Sequence, residues 1–312
     1  MFSTPILIIS YNRPDYLKIL LKKIKKINHK NIFFFNDGPK NDYDKIKIDV
    51  IKKIVKFEFN NIKILTRFEK KNLGLKLAVI NAINWFFQKN NEGIILEDDC
   101  IPNKSFFYFC EKNLNYHRKN NIVMNIGGLN LLKPLKNYNP SLGLDSYYYN
   151  KIPMIWGWAT WKRSWKQYDH RMKYWWRVRK SKKILKSWFC DKYSVKFFSE
   201  RLDAVCSGKD PSWAFSWVYT LRKKNGLNIM PRKNLIKNIG INLNTHSTPQ
   251  YKDHFNLKTY NIRKIVHPKK ITIDNYADEL LSRIYLKKTI GQIFFLLIRA
   301  LFINKFYSIK NI

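Results

Sequence analysis

The sequence predicts an α/β fold, a mixed, mainly parallel sheet flanked by helices, with a helical extension at its C-terminal side. Short apolar runs recur at 5–10, 31–39, 61–67 and 93–96, and segments of helical periodicity lie between them. Each run also ends in a polar cluster, which is where ligands gather in open sheets of this kind.

The elements follow in order. PILIIS (5–10) is a continuous apolar run closed by YNRP, as expected of a buried parallel strand. From Asp15 to about Ile27, Leu17, Leu20, Leu21 and Ile24 recur at helical spacing, with Pro14 and Asp15 at the start. NIFFFNDGP (31–39) reads as a second strand entering a turn, and NIKILTR (61–67) as a third. NLG then opens a helix in which Leu73, Leu77, Ile80 and Phe87 are expected on one face. GIIL (93–96) is the fourth strand, followed directly by Glu97-Asp98-Asp99. The alternation is that of a doubly wound sheet with right-handed crossovers. In the second half, 121–130 reads as a strand and turn, 147–190 is dense in Trp, Tyr, Lys and Arg, and 208–227 as a loop followed by a helix with Ala214, Trp217, Val218 and Leu221 inward. NIMP (228–231) is a short strand. Composition changes divide the chain into 1–125, 126–250 and 251–312, the first two as halves of one domain and the last as the helical extension.

The chain has 312 residues, 59 Lys and Arg against 22 Asp and Glu, and a formal net charge of +37. Such a balance suits an anionic partner, whether a phosphate-bearing substrate, an anionic membrane surface or nucleic acid, although Lys, Asn and Ile are abundant throughout. Cys100, Cys110, Cys190 and Cys206 are far apart and form no zinc pattern, so free thiols in a reducing, cytoplasmic compartment are expected. The N-terminal MFSTPILIISYNRP lacks the layout of a signal peptide, and no apolar stretch is long enough to predict a spanning helix. The segment 289–312 is apolar for about one helical span, broken by Arg299 and Lys305. It reads equally as a docked helix or as an interfacial helix at the inner face of a membrane.

Three successive carboxylates at a strand end are notable in so basic a chain. They are hard oxygen donors that suit Mg2+ or Mn2+, and such an ion leaves positions for water and for substrate phosphates. On an extended backbone Glu97 and Asp99 point to one side and Asp98 to the other, so the three can divide the work. A solvated acidic turn is the plain alternative. No GxGxxG and no GxxxxGK[ST] occurs in the first half, which argues against a classical dinucleotide fold and a P-loop kinase.

Taken together, ILIISYNRPDYLKILL, FFFNDGP, NLGLKLAVINAI and GIILEDDCIPNKSFFYFCEKNL resemble the nucleotide-diphospho-sugar transferases of the GT-A (Rossmann-like) fold. EDD followed by xxPxxxFF is most similar to the metal-dependent N-acetylglucosaminyltransferases of the N-glycan branching type and to bacterial relatives acting on surface glycans. The resemblance spans residues 5–115, with GWATW, DPSWAFSW and PRKNLIKNIG…NTHS corresponding more loosely over 150–246. It implies that Asp99 holds Mn2+ or Mg2+ and that Asp98 and Glu97 sit by the ribose or its support. It further implies that Asp37 meets the base and that Ser10, Asn12 and Arg13 line the nucleotide pocket. Asn72 and Gly74 join that pocket, with a simple helix start as the alternative, just as Asp37-Gly38 also reads as a plain turn. The implied partners are a nucleoside-diphosphate sugar donor and a glycan or lipid-linked acceptor.

Sugar transfer from such a donor leaves negative charge on a diphosphate and requires a base for the acceptor hydroxyl. By the resemblance, Asp210 is that base in an inverting reaction; Asp before Pro is equally a helix cap, and Asp203 and Asp169 are rivals. His246 reads either as a late metal or phosphate contact or as a structural histidine. Trp156, Trp158 and Trp213 are expected to bind the acceptor by stacking on sugar, against core packing as the alternative. Arg67 is a candidate phosphate contact. Two other classes stand beside this reading. A nucleic-acid-binding protein fits the charge and the aromatics of 147–179, but no recognition motif is present and the acidic triplet would repel phosphate, so no nucleic acid is expected. A sugar-nucleotide nucleotidyltransferase would call for a glycine-rich loop, which PILIISYNRP lacks.

Overall fold

The computed structural model describes residues 2–27, 29–60, 62, 64–132, 145–240 and 257–286. The strands are β1 (Ile6–Ser10), β2 (Ile32–Asn36), β3 (Leu65–Phe68), β4 (Glu92–Glu97), β5 (Cys100–Pro102), β6 (Val123–Gly127), β7 (Tyr147–Asn150), β8 (Trp158–Trp161), β9 (Leu227–Pro231) and β10 (Ile236–Asn238). The helices are α1 (Pro14–Lys25), α2 (Asp42–Glu58), α3 (Leu75–Lys89), α4 (Lys104–Tyr116), α5 (Lys162–Trp165), α6 (Trp175–Lys180), α7 (Lys182–Trp188), α8 (Lys192–Cys206), α9 (Trp213–Lys223) and α10 (Asn275–Leu286). Eight strands form one sheet in the order β3-β2-β1-β4-β8-β6-β9-β7, and β5 pairs with β10 in a separate ribbon. β3, β2, β1 and β4 are mutually parallel; β8 runs against both β4 and β6, β6 and β9 are parallel, and β7 is antiparallel to β9. This is the mixed, mainly parallel sheet flanked by helices that the sequence predicts.

The apolar runs are continuous because both faces are covered. Ile6 and Ile8 pack with Ile32, Phe34 and the inner sides of α1 and α2, whereas Leu7 and Ile9 pack with Phe33, Phe35 and α3. The period of two in each strand thus divides one apolar run between two helical layers. Helix starts are chemically marked. Pro14 and Asp15 open α1 and Lys22, Lys23 and Lys25 close it. Asn41 caps α2 by accepting from the Asp44 amide at 2.9 Å, and Asn103 caps α4 through the Phe106 amide at 3.0 Å.

Some elements differ from expectation. β3 starts at Leu65, later than 61, and residues 61 and 63 lie outside the described ones. Leu77 is 51 % exposed rather than inward; the buried face of α3 is Ala78, Val79, Ile80, Ala82, Ile83, Phe86 and Phe87, because the helix begins two residues after Leu73 and its stripe is rotated. Residues 257–286 close against the far side of the sheet. Both oxygens of Asp278 accept from the Lys151 amide at 3.0 Å, and Ser282 Oγ donates to Asp191 at 2.7 Å. No helix among the described residues is long and apolar enough to cross a membrane, the four cysteines are free, and the tail at 289–312 lies outside the described residues.

A buried polar chain joins α4 to this late segment. His117 Nε2 lies 2.9 Å from the Tyr147 hydroxyl, which lies 2.8 Å from His267 Nδ1. Burial, with the nearby His267 and Arg163, pushes His117 down to about 4. The folded state therefore refuses a proton that the unfolded chain accepts below about 6.5, so stability is intact above that pH and falls as pH drops from about 6.5 to about 4. His117→Phe should flatten this part of the pH profile, by an amount of order 2 kcal/mol, in urea denaturation followed between these limits.

Candidate active site

The chain runs outward from β1 to β2 and β3, then returns to place β4 on the other side of β1. That reversal opens a crevice beyond the carboxyl ends of β1 and β4, the standard ligand position in such sheets. Ile9 is paired with Glu97, so Ser10 through Arg13 and the acidic triplet emerge side by side.

Asp98 is 1 % exposed and points inward. Ser10 Oγ donates to its Oδ2 at 3.2 Å and the Tyr11 amide donates to the same oxygen at 3.4 Å. Arg13 spans the pair beside it: Nη2 stands 2.8 Å from Asp98 Oδ1, and Nη1 donates to Asp99 Oδ2 at 2.9 Å. The contact with Asp98 Oδ1 is an ion pair off the hydrogen-bonding direction, which leaves that buried oxygen without a directed donor. Glu97 and Asp99 are both partly open to solvent, on the outer side of the turn, as the alternation expects. Among the described residues no hydrogen bond reaches the Glu97 carboxylate.

Three carboxylates thus face one guanidinium. Burial, then the charges of Asp99 and Asp98, push Glu97 up to about 8 against the pull of Arg13. Burial raises Asp98 too, against the pull of Arg13. Burial works against the charge of Arg13, and Asp98 and Asp99 outweigh it, raising its pKa.

The β5–β10 ribbon closes the other side. The Ile239 amide donates to the Asp99 carbonyl at 2.9 Å, and Asn238 Nδ2 donates to Asp99 Oδ1 at 3.3 Å. Gly240 lies directly against this carboxylate; a Cβ there would stand 2.1 Å from Asp99 Oδ2. Asp99 Oδ1 is therefore held by Asn238, while Oδ2 abuts Gly240, where no side chain would fit, and is reached by the Arg13 guanidinium.

Sequence reasoning missed Asp44. It is buried in the first turn of α2 and receives the Tyr11 hydroxyl, Asn12 Nδ2 at 2.6 Å and the Lys40 amide at 3.2 Å. These donors outweigh burial and lower its pKa, while burial and Asp44 raise that of Tyr11, which stays protonated. Asn12 is thus spent on holding the loop that carries Arg13. The Asn41-Asp42-x-Asp44 pattern advertises a helix start and nothing more.

Asp37 corrects a second expectation. Its Oδ1 accepts from the Gly38 and Leu73 amides at 2.8 and 2.9 Å, and its Oδ2 from Asn72 Nδ2 and the Gly74 amide at 2.9 and 3.2 Å. With both oxygens doubly occupied, Asp37 clamps the loop 72–74 to the end of β2 and has no lone pair for a nucleoside base. Asn72 also donates to the Gly38 carbonyl at 2.9 Å, and Gly74 adopts φ 76° to turn the chain into α3. Asp37→Ala leaves three backbone amides, those of Gly38, Leu73 and Gly74, without their acceptor and takes one of the two acceptors from Asn72. It should cost about 2–4 kcal/mol in urea denaturation and expose the Leu73 and Gly74 amides to hydrogen exchange, with Asp37→Asn costing less.

Trp158 and Trp213, 1 % and 3 % exposed, stack on each other with centroids 5.7 Å apart inside the α3–α9 layer. They are core, not acceptor platforms; a Trp-rich run reads identically for both until its faces are known. Trp156 is half-buried at the edge of the core. Asp203 is bound by Trp175 Nε1 at 2.8 Å and Arg179 at 3.0 Å, and Asp169 pairs with Lys223 at 3.1 Å. Arg67 pairs with Glu69 at 2.7 Å. Asp210 accepts from the Ser212 amide at 2.9 Å, Ser212 being the cap of α9, and makes no ion pair among the described residues. Asp210 lies within the field of Lys76, in the first turn of α3, whose pKa burial lowers. It therefore stands at the same end of the sheet as Gly74 and the crevice. His246 lies outside the described residues, and among them no cluster of three or more His, Cys, Asp or Glu side chains forms a ready-made metal cage.

Fold and crevice together define an α/β protein with a carboxylate-rich site at the switch point of its sheet. No family model matches the sequence, and no curated protein does. A solved structure to which it is similar is that of a putative glucose-1-phosphate thymidylyltransferase from Bacillus anthracis, in complex with a sucrose. The two are 14 % identical over 39 % of this chain and 52 % of that one, with a TM-score of 0.27, so the match spans about half of that chain.

Proposed function

We propose that the protein is a divalent-cation-dependent glycosyltransferase that moves a sugar from a nucleoside-diphosphate sugar to a hydroxyl of a glycan or lipid-linked acceptor. The observation that carries this reading is the imbalance at the switch point: among the described residues, Glu97, Asp98 and Asp99 are balanced by Arg13 alone. The residues fit Mn2+ or Mg2+, since Asp99 is partly open to solvent with no side chain at 240 beside its Oδ2, and Asp98 Oδ1 is a buried oxygen with no directed donor among the described residues. One protein carboxylate with water and diphosphate oxygens is an ordinary coordination for these ions. When bound, the ion supplies charge neutralisation for the diphosphate as it leaves.

The chain's own groups do the rest. Asp98, held by Ser10 and the Tyr11 amide, fixes the turn that presents Asp99. Asp44 and Asp37 tie down the two loops bordering the crevice. Arg13, beside Asp98 and Asp99, is the guanidinium placed to pair with diphosphate oxygens, and would be available to them if a bound ion took over Asp99. Asp210 accepts the proton of the attacking hydroxyl, and Trp156, partly buried at the edge of the core, is the remaining candidate to stack on the acceptor sugar.

The test is a screen of sugar nucleotides with Mn2+, following release of nucleoside diphosphate and transfer to added glycans, with Asp210→Asn as the comparison. One donor should be turned over, and Asp210→Asn should lower turnover by about two to four orders of magnitude with donor binding retained. Formation of a sugar nucleotide from sugar 1-phosphate and nucleoside triphosphate, with no turnover of any sugar nucleotide, would instead establish nucleotidyl transfer.

A further inference from the structure

The aromatic and basic run of the second half divides in the folded chain. Tyr147, Tyr149, Trp158, Trp161 and Trp175 are buried in the core. Tyr174 and Trp176, by contrast, are 57 % and 51 % exposed. Around these two, residues 171–186 hold eight Lys and Arg and no acidic residue, whereas the whole chain has 59 basic residues in 312. Of the eight, Arg179 is neutralised by Asp203 at 3.0 Å; the others make no ion pair among the described residues. The segment is rigidly seated. Trp175 donates to Asp203 and packs edge-on against Tyr219, while Leu185 and Trp188 bury the inner side of α7. What faces outward is thus a fixed corner of two short helices, with an exposed Trp and Tyr and Ile184 set among unpaired cations.

We infer that this α6–α7 corner is a docking surface for an anionic lipid bilayer. Indole and phenol rings settle at the boundary between headgroups and acyl chains, and unpaired Lys and Arg beside them are attracted to acidic headgroups. Nucleic acid would use the same cations. It gains sequence-tolerant affinity from a row of stacking rings, however, and here Tyr147, Tyr149, Trp158, Trp161 and Trp175 are committed to the core, leaving Tyr174 and Trp176 as the exposed rings. The inference is independent of the catalytic reading, since it uses no residue of the crevice.

The test is co-sedimentation of the full chain with vesicles of phosphatidylcholine alone or with about a third phosphatidylglycerol. Wild-type protein should bind the anionic vesicles and not the neutral ones. Lys180→Glu/Lys182→Glu/Lys183→Glu should weaken binding at least about tenfold, and Trp176→Ser should make the remainder sensitive to moderate salt. A control with the same change of net charge on α2, Lys45→Glu/Lys53→Glu/Lys56→Glu, should stay within about twofold of wild type. Circular dichroism verifies that each variant is folded. The inference is overturned if wild-type protein ignores anionic vesicles, if the α2 control weakens binding as much as the corner variant does, or if the corner variant binds like wild type. It is equally overturned if a short DNA duplex displaces the protein from the vesicles through this corner.

Discussion

Asp99→Asn should abolish sugar transfer while leaving the far-UV spectrum unchanged. The substitution keeps the shape of the side chain and the backbone contact with the Ile239 amide, and removes the charge on Oδ2 together with its ion pair to Arg13. That oxygen lies beside Gly240 and Arg13, and it is the one that a divalent ion would share with diphosphate. Loss of the ion's stabilisation of the leaving diphosphate is worth several kcal/mol, so kcat/KM should fall at least about a thousandfold. Nucleotide binding should become indifferent to Mn2+. Retention of cation-dependent transfer in this variant would remove Asp99 from the site, and with it the reading of the triplet.

The second large effect is expected at Arg13, and it has two opposite signs. Among the described residues Arg13 is the one guanidinium that reaches the three carboxylates, so Arg13→Gln leaves them repelling one another in a partly desolvated turn. Stability in EDTA should drop by about 1–3 kcal/mol. The same change removes the cation that competes for Asp99 Oδ2. Mn2+ alone should therefore bind the variant about tenfold more tightly than it binds wild type, and should restore its melting temperature. Transfer should nevertheless fall, since the guanidinium no longer reaches the diphosphate. Calorimetry in EDTA and in Mn2+ separates the two effects. A variant as stable as wild type in EDTA, or one that Mn2+ does not restore, would mean that the guanidinium does not balance the triplet.

Much of this layout was legible in the sequence because local signals agreed. Four apolar runs with helical segments between them fix the parallel half of the sheet, and strand ends fix where Ser10–Arg13 and Glu97–Asp99 meet. The less legible parts all depend on contacts distant in sequence. β5 and β10 are three residues each and carry no period of their own, yet they bring Asn238 and Gly240 onto Asp99. Asp37 and Asp44 look like turn and cap residues, and they are; their partners at 72–74 and 11–12 make them the clamps of the crevice. Trp158 and Trp213 show the reverse error, in which residues suited to sugar stacking are instead the centre of a helix–sheet interface. Composition cannot tell an aromatic that faces a ligand from one that faces a core.

The central claim is that the triplet holds a cation together with a diphosphate rather than serving as a solvated turn. Its most direct test is a titration of Mn2+ followed by electron paramagnetic resonance, with and without each nucleoside diphosphate, on wild-type and Asp99→Asn protein. The account predicts weak Mn2+ binding by wild-type protein alone, tight binding of one ion once the right nucleoside diphosphate is added, and neither in the variant. Mn2+ binding that ignores the nucleotide, or nucleotide binding unaffected by EDTA, would contradict it.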